Sequence, residues 1–203
     1  MAGAFLSERL IFRAVELDDE PFLGELLGDS ENFAQSAPVL MIPPGSKGAK
    51  EGRERLENAV MGAIVCLQQP AGQSGKPVPI GLILMNGDPP PLAHHRRIEM
   101  GISLARSQQG KGYGSETIRF ALRWAFQHAN YHKVSLAVFE HNPNAARLYE
   151  KLGFVLEGRR REHVWREGRY WDQMDMSMLA GEWQERYGND KNSAQGSTNG
   201  IEK

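Results

Sequence analysis

The stretch "QQGKGYGSETIRFAL", residues 108–122, decides the fold of this chain. Gly110, Gly112 and Gly114 occupy alternate positions directly before a helical pattern. Glycine costs conformational entropy in such a turn, so its use indicates that something lies close to the backbone. A helix N-terminus carries unpaired N–H groups and about half a positive charge, and a glycine turn there is typical of a phosphate cradle. An ordinary structural turn is the alternative.

The segments on either side place this turn inside a sheet. "IEMGISLA" (98–105) predicts a strand before the turn, and "KVSLAVFE" (133–140) predicts the next strand. Between them, Ser115–Ala129 repeats apolar residues at spacings of three and four, which predicts a helix. A strand–helix–strand crossover is right-handed and makes its two strands parallel.

The rest of the chain predicts hairpins and short helices around this unit. We expect strands at 9–15, 61–69 and 80–86, helices at 17–29, 49–60 and 142–152, and two last strands joined at Glu167-Gly168. Loops are expected at 36–48, 70–79 and 87–97. The order predicts an α+β (mixed α/β) protein with one domain at 1–187, followed by a polar tail at 188–203 that we expect to be disordered.

Composition excludes several classes of protein. The 203 residues suit one domain, and the net charge of -1 gives no global field for nucleic acid or an anionic membrane. Cys66 is the single cysteine, so no intramolecular disulfide forms. The N-terminus lacks a signal-peptide pattern, and no apolar run approaches the roughly 20 residues that cross a bilayer. We expect a cytoplasmic or nucleocytoplasmic protein with no nucleic-acid or membrane partner.

Two common nucleotide motifs do not match the glycine turn. The Walker pattern needs Gly-Lys-Ser/Thr, which the turn lacks, and Ser115 occupies the third glycine position of the dinucleotide pattern. A nucleotide-binding switch is therefore disfavoured.

The fuller string, "QGKGYG" at 109–114, matches Q/R-x-x-G-x-G/A, and "NPNAARLYEKLGF" follows at 142–154. In this order the two strings resemble the two signatures of the Gcn5-related N-acetyltransferases (GNATs). The resemblance extends over Arg9–Trp183. The closing segment, 157–179, is similar to the branch of ribosomal-protein N-terminal acetyltransferases and their small-amine relatives.

The resemblance implies a single GNAT fold, whose twisted and mostly antiparallel sheet splays apart between strands four and five, with helices on its flanks. It implies that acetyl-CoA lies in the splay as co-substrate and that no metal is used. Ile102, Ser103 and Leu104 would pair with the pantetheine amides. The backbone N–H groups of the turn would hold the pyrophosphate, namely those of Gln109, Gly110, Lys111, Gly112, Tyr113, Gly114 and Ser115.

The resemblance also assigns catalytic roles. An alkyl amine with a pKa near ~10 must lose a proton before it attacks a thioester, and Glu99 is the candidate base. The alternative is a solvated edge carboxylate or one paired with Arg97. Tyr149 is the candidate acid for the leaving thiolate, or it only packs beside Leu148 and Leu152. The Met100 N–H is a candidate donor to the thioester oxygen.

Three residues of the second signature are candidate cofactor contacts. Asn142 is either a helix cap or a pantetheine contact, and it can be both. Asn144 and Arg147 lie toward the same side of the predicted helix, where the arginine meets a CoA phosphate or faces water.

The function that follows is transfer of acetyl from acetyl-CoA to a primary amine by direct attack in a ternary complex. The acceptor is a small amine or a protein N-terminal amine, and the protein is expected to be a monomer or a homodimer. The rival is an acetyl-CoA-binding regulatory protein without turnover. Such a protein should have lost the acid or the base, whereas Tyr149 and Glu99 are both present.

Other polar and aromatic clusters have simpler interpretations. His94 to Arg97 is interpreted as a solvated loop, because no zinc spacing accompanies the two histidines. Arg159 to Arg161 is interpreted as a salt-paired surface, with contact to an acidic substrate or a CoA phosphate as the alternative. Trp165, Tyr170 and Trp171 are either packing residues or a wall of the acceptor pocket.

Overall fold

A mixed sheet of seven strands forms the centre of the protein. The computed structural model describes residues 4–36, 38–40, 45–69 and 75–188. Its strands are β1 (Leu10–Arg13), β2 (Met61–Leu67), β3 (Pro79–Gly87), β4 (Arg97–Leu104), β5 (Lys133–Phe139), β6 (Val155–Arg166) and β7 (Arg169–Leu179). They lie in the order β1-β2-β3-β4-β5-β7-β6, and every neighbouring pair is antiparallel except β4 and β5. The predicted α+β fold with a mostly antiparallel sheet is confirmed.

Six α-helices occur among the described residues: α1 (Glu20–Gly28), α2 (Ser30–Ser36), α3 (Ser46–Glu57), α4 (Tyr113–Arg123), α5 (Pro143–Leu152) and α6 (Ala180–Tyr187). A π-helical turn, Trp124–His128, continues α4. Short 3-10 helices lie at Leu17–Asp19, Pro90–His95 and Arg106–Gln108.

The two faces of the sheet bury different helices, because side chains alternate along each strand. Ile98 and Met100 of β4 enter the main core, which also holds Ile118 of α4, Leu152 of α5 and Trp183 of α6. The opposite face packs against α1 and α3 in a smaller core. That core contains Leu23, Leu26, Leu56, Ile64, Cys66 and Leu82.

The splay predicted between strands four and five is present. β4 and β5 pair in parallel at Arg97/Lys133, Ile98/Val134 and Glu99/Ser135. Beyond this point β4 continues to Leu104 and β5 to Phe139 without pairing with each other. The two strands therefore part after Glu99.

Two helices were not predicted. α2 has seven residues and α6 has eight, so neither is long enough for an apolar stripe to repeat. The predicted helix at 49–60 begins earlier, at Ser46, and the one at 115–129 begins at Tyr113. The proline-rich loop at 87–97 contains the 3-10 helix Pro90–His95.

Some predicted segments lie outside the described residues. Only Gly188 of the predicted polar tail at 188–203 is described. The loop at 36–48 and the turn at 70–79 are described in part. The disorder of the tail and the domain boundary at 187 stay predictions.

Helix α6 satisfies the carbonyl groups at the end of α5. The Arg186 Nη2 donates to the Lys151 carbonyl at 2.8 Å, and the Tyr187 hydroxyl donates to the Leu152 carbonyl at 2.8 Å. Gly153 ends α5 at a φ of 97°, as a C-terminal glycine does. The last carbonyls of a helix have no partner within the helix, so α6 stabilises the end of α5.

We predict that Tyr187→Phe lowers the free energy of unfolding by about 1 kcal/mol, because it removes one hydrogen bond to a helix-end carbonyl and changes no apolar contact. Chemical denaturation followed by far-UV circular dichroism measures the change. Tyr170→Phe is the matched control, since Tyr170 is 56% exposed at the far hairpin and should leave the value unchanged. Equal stability of both variants would show that α6 does not hold α5 through this bond.

Candidate active site

The glycine turn leads directly into the first turn of α4. Gly110 and Gly112 have φ values of 72° and 84°, in the left-handed region that side chains rarely adopt. The Glu116 N–H bonds to the Gly112 carbonyl at 3.2 Å, at the start of the helical ladder. The N–H groups of Tyr113, Gly114 and Ser115 therefore precede the helical ladder and point out of the helix end. This geometry suits an anion.

Arg9, just before β1, holds the outer side of the loop. Its Nη1 donates to the Lys111 carbonyl at 3.1 Å, and its Nε bonds to Glu116 Oε2 at 2.8 Å. Its guanidinium also lies 4.7 Å from the centre of the Tyr113 ring. Partial burial opposes the ionisation of Glu116, but hydrogen bonds from the Arg9 backbone N–H, from Ser7 and from the Arg9 side chain outweigh it and lower the pKa of Glu116. Arg9 thus connects the loop at Lys111 to the first turn of α4 at Glu116.

Alternate backbone groups of β4 face the splay. The Ala105 N–H bonds to the Ile80 carbonyl of β3 at 2.8 Å, and Ser135 Oγ bonds to the Ile98 carbonyl from the side of β5. Groups of successive residues point to opposite sides of a strand. The backbone groups of Met100, Ile102 and Leu104 therefore face the splay. The backbone groups of Ser103 face β3, so only its side chain can make the predicted contact with pantetheine.

The carbonyl of Leu104 is already engaged. Gln109 Nε2 donates to it at 3.0 Å and also donates to Asn32 Oδ1 of α2 at 3.3 Å. Asn32 Nδ2 in turn donates to Ser103 Oγ at 3.0 Å. The Gln109 side chain thus links the glycine loop to the end of the β4 edge, a role that the loop pattern alone did not indicate.

Glu99 lies at the last paired position before the splay and is exposed. It is directly opposite Asn86 of β3, so the two side chains lie on the same face of the sheet, the face that carries α1 and α3. The pairing with Arg97 that was the alternative does not form, because Arg97 Nε bonds to Asp88 Oδ2 at 2.8 Å. Glu99 is free to meet a ligand at the point where the strands part.

A pocket of about 520 Å³ adjoins Glu99 on this face. Its wall is formed by α3 and β3, with the residues Glu51, Glu54, Arg55, Asn58, Leu84 and Asn86. Leu84 is opposite Gly101 in the register and Asn86 is opposite Glu99, so the β3 wall of the pocket lies beside β4. Glu51 and Glu54 pair only loosely with lysines one helical turn away, at 3.4 and 3.7 Å. The charged residues of the pocket are thus two glutamates and one arginine, and the sequence pattern contained no sign of this pocket.

Tyr149 lies in the main core on the opposite face. It is 9% exposed, and its ring packs edge-on against Phe154 with centroids 5.7 Å apart. Burial raises the pKa of its hydroxyl to about 12. The ring therefore packs in the core and its hydroxyl stays protonated at neutral pH, while its role as the acid stays a prediction.

The second signature forms the start of α5. The Asn142 Oδ1 accepts from the Ala145 N–H at 3.2 Å, which confirms the cap, and its Nδ2 donates to the Gln35 carbonyl of α2 at 3.3 Å. Arg147 Nη2 donates to Asn144 Oδ1 at 2.6 Å, and both residues are exposed. Contacts of these three residues with a cofactor stay predictions.

Two of the three arginines in the cluster Arg159 to Arg161 are salt-paired, as the simpler interpretation predicted. Arg159 bonds to Asp172 at 2.9 Å and Arg160 to Asp175 at 2.7 Å. In the part of the chain that the structure describes, no group of three histidine, cysteine or acidic residues is arranged to hold a metal. No helix within the same residues is long and apolar enough to cross a membrane.

Known proteins are similar to this chain in sequence. The spermidine N(1)-acetyltransferase of Vibrio cholerae is 40% identical over 92 residues, which are 45% of this chain and 53% of that protein. The spermidine N(1)-acetyltransferase of Escherichia coli K12 is 34% identical over 76 residues, 37% of this chain and 41% of that protein. The chain thus matches about half the length of these curated relatives.

Solved structures match over a longer range. A crystal structure of the Vibrio cholerae spermidine N-acetyltransferase, in complex with CoA and spermine, superposes with a TM-score of 0.70 at 27% identity, covering 87% of this chain and 99% of that chain. The family model of the acetyltransferase (GNAT) domain matches residues 9–155. This chain therefore belongs to the GNAT acetyltransferase family.

Proposed function

We propose that this protein is an acetyl-CoA-dependent N-acetyltransferase whose acceptor is a small, multiply charged amine of the polyamine class. The observation that supports it best is the unpaired edge of β4, which begins after Glu99 and ends at Leu104, shortly before the glycine loop. Spermidine acetyltransferases among the relatives support the acceptor class. A protein N-terminal amine is the second acceptor class, and it carries fewer positive charges.

The residues of the loop and the β4 edge fit acetyl-CoA. The N–H groups at the start of α4 suit a pyrophosphate, because they are unpaired at the positive end of a helix. The groups of Met100 and Ile102 and the Leu104 N–H suit amides that add to the sheet like a further strand. When bound, acetyl-CoA supplies the acetyl thioester.

Glu99 is the proposed acceptor of the amine proton. It is exposed at the point where the strands part, on the same face as the pocket beside β3. A carboxylate there, directly or through a water, removes the proton that keeps an alkyl ammonium unreactive at neutral pH. Glu51 and Glu54 would attract the remaining charges of a polyamine.

Tyr149 is the proposed donor of a proton to the departing sulfur. Its raised pKa, about 12, keeps it in the acid form throughout the working range of the enzyme. The Met100 N–H faces the splay and can donate to the thioester oxygen. Cys66 is fully buried in β2, and burial raises the pKa of its thiol, which supports direct transfer in a ternary complex over an acyl-cysteine.

We predict that Gly112→Ala weakens acetyl-CoA binding about tenfold, because an alanine resists the left-handed conformation that aims the loop N–H groups. Titration calorimetry with acetyl-CoA measures it. Gly168→Ala is the matched control, since Gly168 has a φ of 78° in the distant hairpin turn and open space around it. Both variants should lose about 1–2 kcal/mol of stability, but only Gly112→Ala should lose affinity. Equal affinities of the two variants for acetyl-CoA would show that the loop is not part of the cofactor site.

We predict that Tyr149→Phe lowers kcat about a hundredfold or more and changes the Kd of acetyl-CoA little, because the ring remains while the proton donor is lost. Release of free thiol at saturating substrates measures kcat. Tyr170→Phe serves as the control for loss of a phenol. Unchanged turnover in Tyr149→Phe would mean that another group protonates the sulfur.

The proposed function is tested on a panel of acceptors: spermidine, spermine, a monoamine, and a short peptide with a free N-terminus. We expect turnover to be highest with the polyamines. We also expect Glu54→Gln to raise KM for spermidine about two- to fivefold without changing that for the monoamine, as the loss of one partly solvated charge does. Glu185→Gln, an exposed glutamate of α6, is the control.

Each outcome of the panel separates the candidates. Preference for the peptide would assign the protein to N-terminal acetylation. Binding of acetyl-CoA without thiol release from any amine would favour the regulatory alternative.

A further inference from the structure

We propose that Asn32, on the helix that the sequence pattern did not reveal, is a positioning residue for acetyl-CoA. It acts through Gln109, and it keeps the glycine loop aligned with the unpaired edge of β4. The proposal rests on the acetyl-CoA site proposed above and is independent of the amine acceptor.

Asn32 is held firmly at the start of α2. Its side chain is 6% exposed, and the Asn32 backbone N–H donates to Asp29 Oδ1 at 3.0 Å. The same carboxylate oxygen accepts from the Glu31 N–H at 3.0 Å, so Asp29 caps the helix. A buried carboxamide fixed by its own backbone is a rigid anchor, and a polar group buried at that depth must keep its partners.

The carboxamide of Asn32 uses both of its ends. Its Nδ2 donates to Ser103 Oγ of β4 at 3.0 Å, and its Oδ1 accepts from Gln109 Nε2 at 3.3 Å. Ser103 belongs to the strand that borders the splay, and Gln109 is the first residue of the pyrophosphate pattern. A single side chain therefore joins the two parts of the proposed cofactor site.

Gln109 passes this restraint to the edge itself. Its Nε2 donates to the Leu104 carbonyl at 3.0 Å, and that carbonyl faces the splay. The bond occupies the end of the edge nearest the loop, so an added strand pairs with Met100, Ile102 and the Leu104 N–H. Without Asn32, the Gln109 amide keeps the Leu104 carbonyl but loses its second acceptor, and the loop loses its link to Ser103 of β4.

Two further contacts place α2 across the splay. Glu31 forms an ion pair with Arg106, in the turn between β4 and the glycine loop. The Gln35 carbonyl accepts from Asn142 Nδ2 at the start of α5. Helix α2 thus spans the distance from the end of β4 to the start of α5. Asn32 lies between these two contacts and bonds to Ser103 and Gln109.

A double-mutant cycle on the Kd of acetyl-CoA tests the proposal, with the variants Asn32→Ala, Gln109→Ala and both together. We expect each single variant to weaken binding about tenfold, the effect of one buried hydrogen bond. If Asn32 acts through Gln109, the double variant should also be weakened about tenfold and not about a hundredfold. In steady-state assays KM for acetyl-CoA should rise while kcat and KM for the amine stay close to wild type.

The matched control is Gln35→Ala, which removes an exposed carboxamide from the same helix and should leave the Kd unchanged. Asn32→Ser provides a second variant if Asn32→Ala unfolds, because its hydroxyl is too short to reach both partners. Thermal unfolding without ligand identifies any variant that is merely unstable.

Additive losses in the cycle, or a loss of kcat with unchanged acetyl-CoA affinity, would overturn the proposal. The cycle measures only the binding of acetyl-CoA, so it can be interpreted even if no amine of the panel is acetylated. Conversely, wild-type protein that does not bind acetyl-CoA would refute the proposed function before any variant is made.

Discussion

The divergence of β4 and β5 after Glu99 is the constraint on which the rest of the site depends. Up to Glu99/Ser135 the two strands pair, and beyond it the backbone groups of Met100, Ile102 and Leu104 lack a strand partner on that side. Buried or half-buried backbone groups require hydrogen bonds, and an unpaired strand edge inside a sheet can form them with a ligand that pairs like a strand. The Gln109 amide satisfies one of these groups, the Leu104 carbonyl.

The splay also joins the two faces of the sheet. Glu99 and the pocket beside β3 lie on the face of α1 and α3, whereas Tyr149 lies in the core covered by α4, α5 and α6. An intact sheet would separate these groups by its full thickness. Because the strands part, the mechanism proposed above can draw its base from one face and its acid from the other: Glu99 is exposed and Tyr149 is buried with a raised pKa.

Polar contacts add to apolar packing around the splay. Apolar side chains such as Ile118 and Leu152 hold α4 and α5 against the sheet. Arg9 and Glu116 contact the outer side of the loop, and Asn32 contacts its inner side through Gln109. Apolar cores tolerate small shifts of a helix, while hydrogen bonds have defined lengths and directions. In the proposed cofactor site, these polar contacts position a loop whose glycines supply no side chain of their own.

The sequence by itself determined the strand order around the crossover, the glycine loop before α4, the cap and end of α5, and the family. These features depend on neighbours within a few residues, which spacing and residue type reveal directly. Only the tertiary structure decided that Gln109 bonds to Leu104 and Asn32, that Ser103 turns its backbone to β3, and that Glu51 and Glu54 line the pocket beside β3. Helix α2 was not predicted because seven residues bury too little to repeat a pattern, and Asn32 meets Ser103 and Gln109 across 71 and 77 positions of chain. Contacts between residues so distant in sequence depend on how the sheet and helices pack, and no local pattern encodes them.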